Sequence, residues 1–182
     1  YNVGGMQDTV IERAGEGIDT VQNWGRYYRL PDHVENLELM RADGAVGVGN
    51  DMDNVLTGSG SDDVLYGMGG NDLLIGGPGN DVLIGGAGRD VFRVTSLDHG
   101  CDVVVDFQSG IDRLDLRPLV AEISGGLLSL FAYNLRIVNS DGGVTVEVMR
   151  QDVPLDFVPI FHLEGVTHIN PDTDIILTDA MA

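Results

Sequence analysis

From Gly49 onward, short apolar triplets alternate with six-residue stretches rich in glycine and polar side chains, and the alternation keeps a constant period of nine. The five units read GNDMDNVLT, GSGSDDVLY, GMGGNDLLI, GGPGNDVLI and GGAGRDVFR, with no insertion between them. Glycine opens each one, at Gly49, Gly58, Gly67, Gly76 and Gly85. The sixth position is Asn54, Asp63, Asp72, Asp81 and Asp90, and the eighth is large and apolar: Leu56, Leu65, Leu74, Leu83 and Phe92. The first six residues of a unit are turn formers, and the last three form a short strand whose middle side chain points inward. Two units then complete one coil of a solenoid, with successive coils roughly 4.8 Å apart. Turns of alternate units stack on the same edge. One edge carries Asn54, Asp72 and Asp90, and the other carries Asp63 and Asp81.

The flanks keep weaker versions of the pattern. Residues 1–48 contain Asp8-Thr9-Val10 and the run Gly15 to Val21, which repeat the glycine, acid and apolar order without the period. They are expected to be degenerate coils that cap the open end of the solenoid. After Arg93 glycine thins out, and apolar runs at 103–107, 111–116, 135–138, 144–149 and 158–163 are separated by Gly, Asp and Pro. Such runs predict antiparallel strands packed as a small sandwich. Three units follow: degenerate coils over 1–48, the repeats over 49–93, and a β-rich C-terminal unit over 94–182.

Composition narrows the chemistry. The 182 residues include 29 acids and 10 bases for a net charge of −19; the acids are 22 Asp and 7 Glu, and every base is Arg. Such a surface repels phosphate backbones, which argues against nucleic acid as a partner. The absence of lysine removes the Walker loop and the Schiff base, and one cysteine makes no internal disulfide. No apolar run is long enough to span a membrane. The chain opens at Tyr1 without a charged and apolar leader, so a piece of a longer protein is expected and an N-terminal signal peptide is not. Asp is favoured over Glu in tight turns. Carboxylates and carbonyls held in turns suit a hard cation such as calcium. Calcium between stacked turns would relieve the repulsion between their aspartates, whereas a metal-free glycine-rich solenoid would have to tolerate it.

The nonapeptides resemble the RTX (repeats-in-toxin) calcium-binding repeat. The resemblance implies an all-β fold, a right-handed parallel β-roll (β-helix) followed by a small antiparallel, sandwich-like C-terminal cap. It also implies three or more calcium ions. In that family one turn gives its second and fourth carbonyls and its Asp, and the turn two repeats on gives its first and third carbonyls and its Asp. Carried over, one site would use Ser59, Ser61 and Asp63 with Gly76, Pro78 and Asp81. A second would use Met68, Gly70 and Asp72 with Gly85, Ala87 and Asp90. A third would use Asn50, Met52 and Asn54 with Gly67, Gly69 and Asp72, and is expected to be the weakest because Asn54 lacks a charge. Gly77 and Gly79, the second and fourth residues of their unit, belong to the same implied ligand set.

Residues 28–39 are similar to a segment found upstream of such repeats. The stretch from Asp102 to Leu116 resembles the segment that follows them in type I secretion substrates. There Asp106, with Asp102, is either a further calcium ligand or a solubilising strand-edge charge. The tail from Leu163 to Leu177 is similar to an uncleaved C-terminal export signal. The resemblance, shared with serralysin-type proteases, secreted lipases and alginate epimerase R-modules, implies a secreted, extracellular and non-catalytic module. Its partners would be an upstream domain of the same polypeptide and the type I secretion machinery.

Catalytic motifs are missing. His33, His99, His162 and His168 form no H-E-x-x-H, and no serine lies in G-x-S-x-G. Asp102 next to Cys101 is expected to raise its thiol pKa, making it a bystander. A polysaccharide is the alternative partner, through Arg13, Arg26, Arg29 and Arg41 near Trp24. Against that, Trp24, Tyr27 and Tyr28 are expected to be buried packing rather than a sugar platform.

Overall fold

The computed structural model describes residues 1–4, 8–97, 99–119, 135–149 and 157–177. Parts of the C-terminal unit, 120–134, 150–156 and 178–182, lie outside the described residues. Among the described residues sixteen short strands divide between two sheets of eight. The first sheet runs β1 (Asn2–Val3), β2 (Thr20–Asn23), β4 (Asn36–Leu39), β6 (Val55–Thr57), β8 (Leu73–Ile75), β10 (Val91–Arg93), β12 (Arg113–Asp115) and β16 (Ile175–Ile176). Every pairing in it is parallel. The second sheet stacks β3 (Tyr27–Arg29), β5 (Val46–Val48), β7 (Val64–Gly69), β9 (Val82–Ala87) and β11 (Asp102–Val104), again in parallel. From β2 to β12 the chain alternates between the sheets, as a solenoid with one strand per nonapeptide requires.

The inward Leu ladder forms the core. Leu56 pairs with Leu74 and Leu74 with Phe92 in one sheet, and Leu65 pairs with Leu83 in the other; all five are fully buried. Their flanking residues in the triplets are half-buried on the outer faces, which is the period-two alternation of a strand. The degenerate coils join the same ladder. Val21 pairs with Leu37 and Leu37 with Leu56, while Gly47 takes the inward place opposite Leu65. A β-carbon on Gly47 would lie 3.0 Å from a Leu37 methyl and 3.1 Å from a Leu65 methyl, so larger neighbours fill this position.

The C-terminal unit departs from the sandwich expectation in two places. The runs at 103–107 and 111–116 supply β11 and β12, which continue the parallel coils on β9 and β10. Antiparallel pairing begins only with β13 (Leu135–Ser140), β14 (Gly143–Met149) and β15 (Phe157–Glu164), and β15 docks in parallel on β11. Among the described residues these strands therefore lengthen the second sheet. The cause is that Val104 and Leu114 present the same inward apolar residue to the coil above as the repeats do, and both are fully buried. A single helical turn, α1 (Pro171–Asp174), is capped by Asn170, whose side chain accepts from Asp172 N, and leads into β16. No helix is long and apolar enough to cross a membrane among the described residues.

Candidate metal centre

The sixth-position side chains form two buried ladders, one on each edge. Asn54, Asp63, Asp72, Asp81 and Asp90 are each no more than 1% exposed. In every pair the upper residue's main-chain N–H donates to Oδ1 of the carboxylate one coil below: Asn54 to Asp72 at 2.7 Å, Asp63 to Asp81 at 2.8 Å and Asp72 to Asp90 at 3.0 Å. This hydrogen bond ties successive turns and leaves Oδ2 for another purpose. For Asp72, Asp81 and Asp90 that oxygen is buried without a hydrogen-bond partner.

The position of Oδ2 follows from the opening glycine. A β-carbon on Gly67 would lie 2.3 Å from Asp72 Oδ2 and 2.4 Å from the Gly85 carbonyl oxygen of the next turn. At Gly58 the corresponding atoms are Asp63 Oδ2 at 3.0 Å and Gly76 O at 2.0 Å, and at Gly49 they are Asn54 Oδ1 at 2.4 Å and Gly67 O at 2.5 Å. Thus the sixth-position oxygen of one turn and the first carbonyl of the next converge in the gap between them. The second and fourth carbonyls point into the same gaps. Ser59 O and Met68 O lie over positive-φ glycines Gly77 and Gly86, and Met52 O, Ser61 O and Gly70 O lie over Gly70, Gly79 and Gly88. Met68 itself holds a φ of +83°, the conformation its glycine counterparts use.

Each gap is therefore lined by oxygen acceptors, and the residues present fit a hard cation that takes six or more oxygens. Among the described residues no three His, Cys, Asp or Glu side chains converge to hold a metal by themselves, so main-chain carbonyls complete the donor set. Burial pushes Asp72 and Asp81 up to about 7 and Asp90 to about 6, reinforced by the neighbouring carboxylates Asp90, Asp102 and Asp112 respectively.

The three implied sites are not equivalent. In the first, Ser59 N and Oγ donate to Asp63 Oδ2 at 2.5 and 2.8 Å, while the Ser61 hydroxyl turns away to Ala42 O at 2.6 Å. In the second, between the turns of Asp72 and Asp90, Asp72 Oδ2 has no hydrogen-bond partner. In the third, Asn54 Oδ1 accepts from Asn50 N at 2.8 Å and Asn54 Nδ2 donates to Asn50 Oδ1 at 3.1 Å, so its neutral side chain is already partnered.

Two ladder members escape the nonapeptide period. Asp102 Oδ1 accepts from Asp81 N at 3.2 Å, and Asp112 Oδ1 accepts from Asp90 N at 3.0 Å. Both are buried, and Gly100, with a φ of +101°, sits against Gly79 O as Gly79 sits against Ser61. The sequence signal is an acid two residues before an inward apolar side chain, Asp102-Val103-Val104 and Asp112-Arg113-Leu114, matching Asp81-Val82-Leu83 and Asp90-Val91-Phe92. The structure separates Asp106 from Asp102. The Asp106 carboxylate accepts from Gly85 N and Gly86 N at 2.9 and 2.8 Å, on the edge of Asp90 and Asp112, whereas Asp102 belongs to the edge of Asp63 and Asp81. His99, buried, places Nδ1 3.5 Å from Asp102 Oδ2. Asp174 closes the other ladder, taking Ser109 Oγ at 2.6 Å, Gly110 N at 2.9 Å and Asn170 N at 2.9 Å. Burial, then Asp102, pushes the Cys101 thiol up to about 11, so it is not a thiolate at neutral pH.

At the N-terminal end the packing expectation for the aromatics fails for two of three. Trp24 is 44% and Tyr27 62% exposed, and only Tyr28 is half-buried against the core. With Arg26, Arg29 and Arg41 they line an open groove of about 750 Å³. Arg26 and Arg41 both pair with Asp43.

The family model for the RTX calcium-binding nonapeptide repeat (4 copies) matches residues 48–83 and 68–93. No curated protein sequence matches the chain. Thirty chains of solved structures are similar to it. Among them is the solution structure of the AlgE6R3 subunit from the Azotobacter vinelandii mannuronan C5-epimerase, 30% identical with a TM-score of 0.53, over 84% of this chain and 86% of that one. With its acceptor-lined gaps, its two parallel sheets and this likeness to an epimerase R-module, the chain belongs to the family of RTX calcium-binding β-rolls.

Proposed function

We propose that this chain is a non-catalytic module of a larger secreted protein, exported by a type I system, whose repeats fold when calcium becomes available outside the cell. The observation that carries the reading is the set of buried, unpartnered oxygens on Asp72, Asp81 and Asp90. Burying a carboxylate without a partner costs several kcal/mol or forces protonation, on the order of the loss a whole domain can tolerate. Without a cation the stacked coils are therefore strained, and the chain stays loose enough to export. A bound calcium ion supplies the positive charge and the coordination that these oxygens lack. Binding only the folded form, it draws folding forward by linkage. Three filled gaps would bring the net charge from −19 to about −13. The ladder members Asp102 and Asp112 extend the same donor pattern one gap further on each edge. The folded roll then stabilises the domain that precedes it.

Far-UV circular dichroism during a calcium titration of the chelated chain, with magnesium as control, tests this. A cooperative gain of β signal with calcium and not with magnesium is expected. Full β signal in chelator overturns the folding switch.

A second reading rests on the groove at Trp24 and Tyr27. Exposed aromatic faces beside guanidinium groups suit an acidic polysaccharide, and mannuronan is the polymer in the name of the similar epimerase. Titration with mannuronan oligomers, followed by Trp24 fluorescence, tests it; a neutral oligosaccharide is the control. An unchanged spectrum removes the reading.

A further inference from the structure

The two ladders begin abruptly. Among the described residues every buried carboxylate oxygen without a hydrogen-bond partner belongs to Asp72, Asp81, Asp90 or Asp102, and none lies in the coils before them. In those earlier coils a side-chain donor reaches from turn to turn. On the edge of Asn54, the Asn50 amide nitrogen donates to two carbonyls of the turn above, Pro31 O and Val34 O, both at 2.8 Å. Its oxygen accepts from Met52 N at 2.9 Å and from Asn54 Nδ2 at 3.1 Å, and the residue is only 5% exposed. All its hydrogen-bonding capacity for this geometry is used inside the protein. On the other edge the Ser61 hydroxyl reaches Ala42 O, and Arg26 and Arg41 grip Asp43.

We infer that Asn50 is a built-in substitute for a cation, ending the calcium ladder at its N-terminal side so that the coils over 20–48 fold without metal. Below Asp72, the Gly85 carbonyl and Asp72 Oδ2 come together, and no donor reaches that carboxylate oxygen. Above Asn54, two carbonyls meet across the partially positive amide NH₂ of Asn50, and the neighbouring sixth-position residue is neutral. An amide donor satisfies carbonyls as a cation does, without needing a counter-charge. The metal-free coils also carry their own core of Val21, Leu30, Val34, Leu37 and Leu39, all buried. They present Leu56 and Leu65 with a finished surface on which the first repeats stack. Asn50 is in this sense a positioning residue. The inference rests on the calcium-gated reading for its meaning, since it sets where gating starts.

Hydrogen exchange read by mass spectrometry on the whole 182-residue chain, in chelator and in calcium, tests it. Amides over 20–48 are expected to be protected in both conditions and those over 64–93 only with calcium. In Asn50→Ala, protection over 31–37 in chelator should fall by about 10-fold or more, the effect of leaving two buried carbonyls unpaired. Rapid exchange over 20–48 in chelator in the unmodified chain overturns the inference, and needs no variant to fold. So does an Asn50→Ala chain whose protection is unchanged. If 64–93 is protected in chelator, the calcium-gated reading fails, and the Asn50→Ala comparison alone still decides the role of its amide.

Discussion

Asp72 and Asp90 share one hydrogen bond and one unmet need: Asp72 N donates to Asp90 Oδ1 at 3.0 Å, while Asp72 Oδ2, facing the Gly85 carbonyl of the same gap, has no hydrogen-bond partner. On the proposed function, the carboxylate that would help bind calcium is thus also the one that opposes folding without it. Asp72→Asn separates the two effects. In chelator the variant is expected to gain β signal relative to the unmodified chain, because a neutral amide removes about 1–3 kcal/mol of burial cost. Its calcium midpoint should rise by about 10-fold or more, because a charged ligand is lost. Parallel calcium titrations by circular dichroism check both signs.

The raised carboxylates fix the direction of the pH dependence. Asp72 and Asp81 titrate at about 7 and Asp90 at about 6 in the metal-free fold, against about 3.9 in the unfolded chain. The fold therefore binds protons more tightly than the unfolded chain. Its electrostatic penalty is complete above pH 7, and it is relieved as the pH falls toward 4. In chelator, acidification from pH 8 to pH 5 should increase β signal. With calcium present, the same change should raise the calcium midpoint, since protons compete for the same oxygens. An opposite trend in chelator would mean that these carboxylates are not the cause of the metal-free instability.

Glycines in the turns are unequal, and substitution distinguishes them. At Gly88 the φ is +145° and a β-carbon would lie 1.7 Å from Gly70 O, so Gly88→Ala must displace the backbone of the turn above. A loss of about 2 kcal/mol or more in the calcium-loaded state is expected, read by thermal unfolding. Gly60 has nothing within 4 Å of that position and no positive φ, so Gly60→Ala should leave the melting temperature within a degree or two of the original, about 0.5 kcal/mol or less.

Counting ions decides how far the ladder reaches. If the gap between Asp90 and Asp112 holds calcium, Asp112→Asn lowers the stoichiometry from calorimetry or equilibrium dialysis by one. The gaps above it should be unaltered. Asp106→Asn should weaken the same ion, because Asp106 sits on the Gly85 and Gly86 amides of that turn. An unchanged count in both variants places the end of the ladder at Asp90.

The repeating part of this protein is legible from its residues alone. A glycine at the start, an acid at the sixth place and a leucine at the eighth are local instructions: a turn that needs positive φ or close approach, then a strand with one inward side chain. Their constant spacing makes Leu56, Leu74 and Phe92 meet, and it stacks Asp72 on Asp90, because parallel strands one coil apart differ by 18 residues. Where the spacing breaks, local pattern no longer says which turn lies over which. The coils after Arg93 are offset by 22 residues at Leu114 and 21 at Val104, so Asp102 and Asp112 rejoin the ladders only through their hydrogen bonds to Asp81 and Asp90. Apolar alternation alone does not distinguish parallel from antiparallel pairing, which is why β11 and β12 read as part of a sandwich. Burial of Trp24 and Tyr27 depends on what lies beyond β3, and no described strand pairs with the edge of β3 that faces away from β5. Asn50, one polar residue among many in a turn, becomes a bridge only because the turn above brings Pro31 O and Val34 O within reach of one amide. Short-range chemistry wrote the coil. Tertiary contact between coils decided which buried polar groups the chain satisfies itself and which carboxylate oxygens it leaves without a hydrogen-bond partner.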